Sequence, residues 1–196
     1  MKNILNITNG DCAVEIMKKA EIPGVFLPWR DVLHDGPVPE NLSLEELSEV
    51  RTQFIIGRNW GAAENIRKSF VERDNELKCY GKYEKVILWF EHDLYDQLQI
   101  LQILDWFHST PRNGVELSII CTDRYLGMLS PAEMKGLMIH EELITERHLT
   151  LSSKAWSAFR SSSPEKWYEL LNIDTSALPF LEGVFWSNET GHFIER

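Results

Sequence analysis

Cysteine is scarce and scattered: three residues, at positions 12, 79 and 121 of 196. An odd number without a Cys-x-x-Cys pair argues against a disulfide framework or a zinc knuckle and fits reduced, structural thiols. No uninterrupted apolar run approaches the roughly 20 residues a membrane helix requires. The first residues pass directly into a strand-like pattern, without the basic and apolar segments of a secretory leader, so a cytoplasmic location is expected. Positive charge is also short. Twenty Lys and Arg stand against thirty Asp and Glu, a formal net charge of −10, which opposes binding to duplex nucleic acid or to an anionic membrane surface. Gly-x-Gly-x-x-Gly, Walker A, Gly-x-Ser-x-Gly and His-Glu-x-x-His are all missing. The dinucleotide fingerprint, the P-loop, a serine nucleophile elbow and a zincin site therefore have no support.

What is present is an alternation of strand and helix patterns. Asn3 to Thr8 reads as a short strand, and Asn9-Gly10 breaks it before Asp11, which is placed to cap a helix carrying Ala13, Val14, Ile16 and Met17. Val25 to Leu27 begins a second strand, followed by a proline- and glycine-rich loop over Arg30 to Asn41. Ser43 and Glu46 form a capping box for a helix with Leu44, Leu47, Val50 and Phe54 inward. A further helix is expected over Gly61 to Asp74. Lys85 to Phe90 is a strand of the type buried on both faces, and Leu94 to Phe107 is the clearest helix. Val115 to Cys121 is another buried strand. This order predicts an α/β fold: a Rossmann-like open, mostly parallel sheet with flanking helices over residues 1–129. From Ser130-Pro131-x-Glu133 onward the pattern is helical, with helices near Thr145 to Phe159 and Pro164 to Leu171. Residues 130–196 are expected as a helical C-terminal region packed on the sheet.

Polar clusters follow the strand-like runs. In an open parallel sheet, strand C-termini share one edge, so such clusters gather in one crevice. The first is Asn9-Gly10-Asp11. The second, Trp29-Arg30-Asp31-Val32-Leu33-His34-Asp35-Gly36-Pro37, displays Arg30, Asp31, His34 and Asp35 on a stiffened loop, with Trp29 placed to stack on a ring. The third is Glu91-His92-Asp93-Leu94-Tyr95-Asp96, where His92 and Asp96 would share a helical face and Asp93 is placed to cap. Asp123-Arg124 closes the set. Plain structural readings stand beside the functional ones: capped turns, an Arg30–Asp31 ion pair and an Asp123–Arg124 pair. The clusters hold seven acids against Arg30 and Arg124, a formal −5. Convergence would need a divalent cation, a cationic ligand or raised pKa values to offset the repulsion. Oxygen-rich donors favour Mg²⁺ or Mn²⁺, with Asp11, Glu91 and Asp93 as the ligand set.

Asn9-Gly10-Asp11, the Trp29 to Val38 stretch and Trp89-Phe90-Glu91-His92-Asp93-Leu94-Tyr95-Asp96-Gln97-Leu98 resemble the bacterial DUF1835 family, catalogued as a domain of unknown function. The likeness extends through Trp156-x-x-Phe159-Arg160 and Leu178-Pro179-Phe180-Leu181. It implies a bacterial cytosolic protein and no particular activity. The stretch from Phe185 to Arg196 departs from the additional charged helix the family would carry.

The residues themselves favour a hydrolase or phosphoesterase acting on a nucleotide-like or phosphorylated small molecule. In that reading His92 or His34 serves as general acid or base with Asp93 also in the chemistry, and Arg30 pairs with an anionic group. Asn9, Gly10, Asp11, Trp29, Arg30, Asp31, Tyr95 and Asp123 would contact the ligand. The alternative is a non-catalytic, regulatory binding module for a nucleotide or another small ligand. A scaffold whose acidic clusters are caps and solvated loops is the third reading.

Overall fold

The structure, a computed structural model, describes residues 3–163, 165–170 and 172–181. Five strands form one sheet: β1 (Ile4–Thr8), β2 (Val25–Pro28), β3 (Lys85–Glu91), β4 (Glu116–Thr122) and β5 (Glu142–Leu143). Their spatial order is β2-β1-β3-β4-β5, parallel except for β5, which runs antiparallel to β4. Seven α-helices accompany them among the described residues. They are α1 (Asp11–Lys19), α2 (Leu44–Gly57), α3 (Ala63–Lys78), α4 (Leu94–His108), α5 (Pro131–Gly136), α6 (Glu146–Arg160) and α7 (Glu165–Leu170). The chain is thus an α/β protein with a Rossmann-like open, mostly parallel sheet.

The sheet divides two cores because strand side chains alternate. Val86, Leu88 and Phe90 of β3 join the cluster that holds Leu98, Leu101 and Leu104 of α4 with Leu149, Ala155 and Trp156 of α6. Ile87 and Trp89 face the other way, toward Ala13 and Met17 of α1 and Met134 of α5. Helices therefore cover both faces, which is why β3 reads as a continuous apolar run. The expected capping boxes at Ser43/Glu46 and Ser130/Glu133 are both formed, and Thr145 with His148 makes a third.

Three expectations are corrected here. The buried face of α2 is Leu47, Ser48, Arg51, Thr52 and Ile55, not a stripe through Val50 and Phe54. Two of those residues are polar and one is an arginine, because the helix is recruited to hold a loop as well as a core. The region after Ser130 is not purely helical: it returns one short strand, β5, to the sheet edge. Two residues are too few to leave a period-2 signature. Asp11 is the first residue of α1 and does not cap it; Gly10 occupies the cap position and no side chain caps this helix. The expectation for Phe185 to Arg196 lies outside the described residues.

The strand order fixes where a crevice opens. From β1 the chain passes through α1 to β2 on one side, then through α2 and α3 to β3 on the opposite side of β1. The winding reverses between β1 and β3, and the carboxyl ends of those two strands flank the topological switch point, where ligands bind in folds of this type.

Candidate functional site at the switch point

Asn9 leaves the end of β1 and its amide nitrogen Nδ2 donates to Glu91 Oε1 (3.0 Å) and to Asp96 Oδ1 (3.1 Å). Glu91 is the last residue of β3. Its Oε1 also accepts from the backbone N–H of Leu126 (2.7 Å), while its own N–H donates to Asp96 Oδ2 (2.6 Å). Three segments far apart in sequence are thereby tied at one point. Asp96 has no exposed surface, and burial pushes its carboxyl up to about 7. Glu91 is nearly buried and is raised for the same reason, against the lowering effect of the Leu126 N–H and the Asn9 amide. Two carboxyls this close resist ionising together.

Above this pair lies a cleft of about 340 Å³ lined by Asn9, Gly10, Asp11, Glu91, Tyr95 and Tyr125, with Cys12, Ala13, Gly127 and Met128 completing its wall. Only Oε1 of Glu91 is occupied by the hydrogen bonds described, and Oε2 is the acceptor left for a ligand. The open start of α1 forms one side, where the first backbone N–H groups have no side-chain partner.

Arg30 adjoins the cleft. Its N–H donates to the Asn9 carbonyl (3.0 Å), and its guanidinium grips Asp11 through Nε (2.8 Å) and Nη2 (2.6 Å). This fork holds the Asp11 carboxyl below the usual range and raises Arg30 in turn. The expected Arg30–Asp31 pair is therefore not formed. Asp31 is fully buried and bound to Arg51 Nε (3.0 Å). Arg51 also donates to the carbonyls of Val32 (2.8 Å), Asp35 (2.8 Å) and Pro37 (3.2 Å). Arg73 covers the Trp29 ring at 4.2 Å and reaches the Trp29 carbonyl (3.3 Å). Trp29 itself is 1% exposed, with its indole N–H donating to Gln102 (2.8 Å). Neither Trp29 nor Asp31 is placed to touch a ligand. The Trp29–Pro37 loop is a framework nailed down from beneath by two arginines.

The histidines stand one layer behind the cleft. His34 meets the Tyr95 ring edge-on, with centroids 5.7 Å apart, and His92 packs against Tyr125 (5.6 Å) and Phe180 (6.0 Å). The Nδ1 atoms of both are buried without a hydrogen-bond partner among the described residues. His92 lies outside α4, so the expected face shared with Asp96 does not exist. Asp93 is the N-cap of α4, accepting from the Asp96 N–H (3.0 Å). Asp123 is exposed at the far end of the rim, and Arg124 pairs with Glu133 instead.

Of the expected metal ligands, Asp11 is paired with Arg30, Asp93 caps α4 and Glu91 accepts from Asn9 and Leu126 through Oε1; among the described residues no group of three His, Cys, Asp or Glu side chains is placed to hold a metal ion. The repulsion implied by the seven acids is relieved by arginines and a raised pKa. Asp35 completes that account, paired with Arg58 at 3.2 Å. Sequence reasoning missed Arg51, Arg73, Arg58, Tyr125 and the backbone of Leu126; burial within α2 and α3, invisible to composition, marks Arg51 and Arg73, while Arg58 is exposed just past the end of α2. No helix among the described residues is long and apolar enough to cross a membrane. Comparison with known proteins finds no matching family model, no similar curated protein and no matching solved structure.

Proposed function

We propose that the switch-point cleft binds a nucleotide-like small molecule and that Glu91 acts there as the acid-base group of a hydrolysis. The observation that carries this reading is the Asn9-bridged Glu91–Asp96 pair beneath a cleft at the one place where the strand order reverses. Burial raises both carboxyls, Asp96 to about 7, and a general base gains from a pKa moved up toward the working pH. Glu91 Oε2 takes a proton from water as the water oxygen bonds to the electrophilic centre, and the same proton is returned to the leaving group. Asp96 is a positioning residue: it touches Glu91 and not the ligand. Tyr125, which is 53% exposed, supplies a ring against which a base stacks. The start of α1 offers free N–H groups to an anionic substituent, and Arg30 neutralises Asp11 beside it.

A second reading is non-catalytic binding of the same ligand, favoured by the fact that neither histidine lines the cleft. The motifs further support membership of the DUF1835 family. The cysteines, all free, favour a reducing cytoplasmic setting. The test is melting temperature and product release across a nucleoside mono-, di- and triphosphate panel, with the native protein and Glu91→Gln. The expected result is a raised melting temperature for one member of the panel. Its hydrolysis should fall about 10²–10⁴-fold in the variant. Stabilisation with no turnover in the native protein would select the binding module; no stabilisation by any nucleotide would remove both readings.

A further inference from the structure

A second concavity, of about 530 Å³, adjoins the switch-point cleft, and Asp11 lines both. It is formed by the end of α2, the connection to α3 and the first turns of α3, with Trp60, Asn65, Lys68 and Glu72 among its walls. Arg30 stands at the junction. Of the five N–H groups on a guanidinium, two are spent on Asp11 and one on Ser69 Oγ (3.0 Å). Two remain, on a side chain that is 41% exposed. The backbone of Arg30 has φ 57°, a left-handed conformation uncommon for a non-glycine residue. Beyond Arg30, Trp60 is 49% exposed and braced edge-on by Phe54, with centroids 5.8 Å apart. Arg58 lies over this ring at 6.0 Å, and a braced, half-exposed indole on the wall of a trough is a stacking surface. Lys68 adds a second cation, 3.8 Å from Glu72, the trough's own acid.

Resting on the nucleotide reading above, we propose that the ligand is two-headed: a phosphate-bridged pair of ring systems of the dinucleoside type. One head lies in the switch-point cleft on Glu91. The bridge meets the two unused N–H groups of Arg30 with Lys68 nearby, and the second ring stacks on Trp60 beside the Asn65 amide. The cleft alone is at the small end of the roughly 300–1,000 Å³ typical of ligand sites, whereas two neighbouring concavities that share Asp11 as a wall offer one place for each head of such a molecule.

The experiment is calorimetric titration of the full chain with adenosine monophosphate and with diadenosine diphosphate. It uses the native protein, Trp60→Ala and Lys68→Ala, both changes on exposed side chains, with melting temperature as the fold control. The native protein should bind the dinucleoside at least tenfold more tightly than the monophosphate. Trp60→Ala should erase most of that advantage and leave monophosphate affinity within twofold, and Lys68→Ala should weaken the dinucleoside several-fold at low salt. Monophosphate binding with no gain for the dinucleoside, or a gain untouched by Trp60→Ala, overturns the two-headed ligand while leaving the Glu91 cleft standing. Binding of neither overturns both.

Discussion

Asp96 is a carboxyl with no exposed surface whose two oxygens accept from Asn9 and from the Glu91 backbone. Burial dominates, and the group titrates at about 7 in the fold against about 3.9 in an unfolded chain. The native state therefore binds the proton more tightly than the unfolded state does. Its contribution to stability is full below about pH 4, is lost as pH rises toward 7, and is level above that. Urea denaturation from pH 4 to 8 should show the native protein losing on the order of 4 kcal/mol from this group. In Asp96→Asn that part of the slope should vanish, with a pH-independent loss of about 1 kcal/mol because the new amide meets the Asn9 donor. An unchanged slope in the variant would show that Asp96 is ionised throughout. The same residue scale explains why the proposed chemistry rests on Glu91 and not on a histidine. Imidazole has the more suitable ordinary pKa, but His34 and His92 stand behind Tyr95 and Tyr125, and Glu91 lines the cleft.

At the scale of elements, the informative unit is the loop that leaves β2. Its rigidity comes from α2 and α3, which send Arg51 and Arg73 inward to bind its carbonyls and Asp31. The loop also packs closely: a side-chain carbon at Gly36, where φ is 81°, would sit 2.5 Å from the Phe54 ring. Removing one partner of a buried pair leaves a charge stranded away from water, so Arg51→Ala should cost about 3–5 kcal/mol. The double change Asp31→Asn with Arg51→Met should cost less than Arg51→Ala, since it removes both charges. Equilibrium urea unfolding measures both, and a loss under 1 kcal/mol for Arg51→Ala would refute the nailed-loop account. The loop's composition, two prolines and a glycine among acid and histidine, was legible in the sequence. Its dependence on arginines was not: charged positions on a helix ordinarily belong to a solvated face, and nothing local says how far a guanidinium reaches. Buried glutamines repeat the lesson. Gln97, Gln99 and Gln102 sit on the apolar helix α4 because they bond the Glu91 carbonyl (2.6 Å), the Asp31 carbonyl (2.7 Å) and the Trp29 indole (2.8 Å).

For the whole molecule, the region after Ser130 belongs to the same core as the sheet. Strand β5 pairs with β4, and α6 packs against α4 through a cluster continuous with Val86, Leu88 and Phe90. Trp156, 2% exposed, lies in that cluster. Trp156→Ala should cost about 3–5 kcal/mol. The loss should lower one transition seen alike by far-ultraviolet circular dichroism and tryptophan fluorescence, because a shared core unfolds as a unit. Two separate transitions would instead reveal a C-terminal region that folds by itself. The expected boundary near residue 129 is thus a change in pattern along the chain, from alternating strands to helices, that the packing of α6 on α4 bridges.

Local chemistry decided what could be read in advance. Apolar runs named β1, β3 and β4, capping boxes placed α2 and α5, and parallel alternation brought Asn9–Asp11, Arg30 and Glu91–Asp96 to one rim, because strand direction alone gathers strand ends. Tertiary structure decided which of those groups face a ligand. Whether an acid caps, pairs or stays free depends on what arrives from elsewhere: Arg51 pairs with Asp31, Arg30 pairs with Asp11, and burial raises the carboxyls of Glu91 and Asp96. Desolvation and partner geometry are properties of the assembled fold, set by residues some twenty to ninety positions away, and no window of sequence contains them.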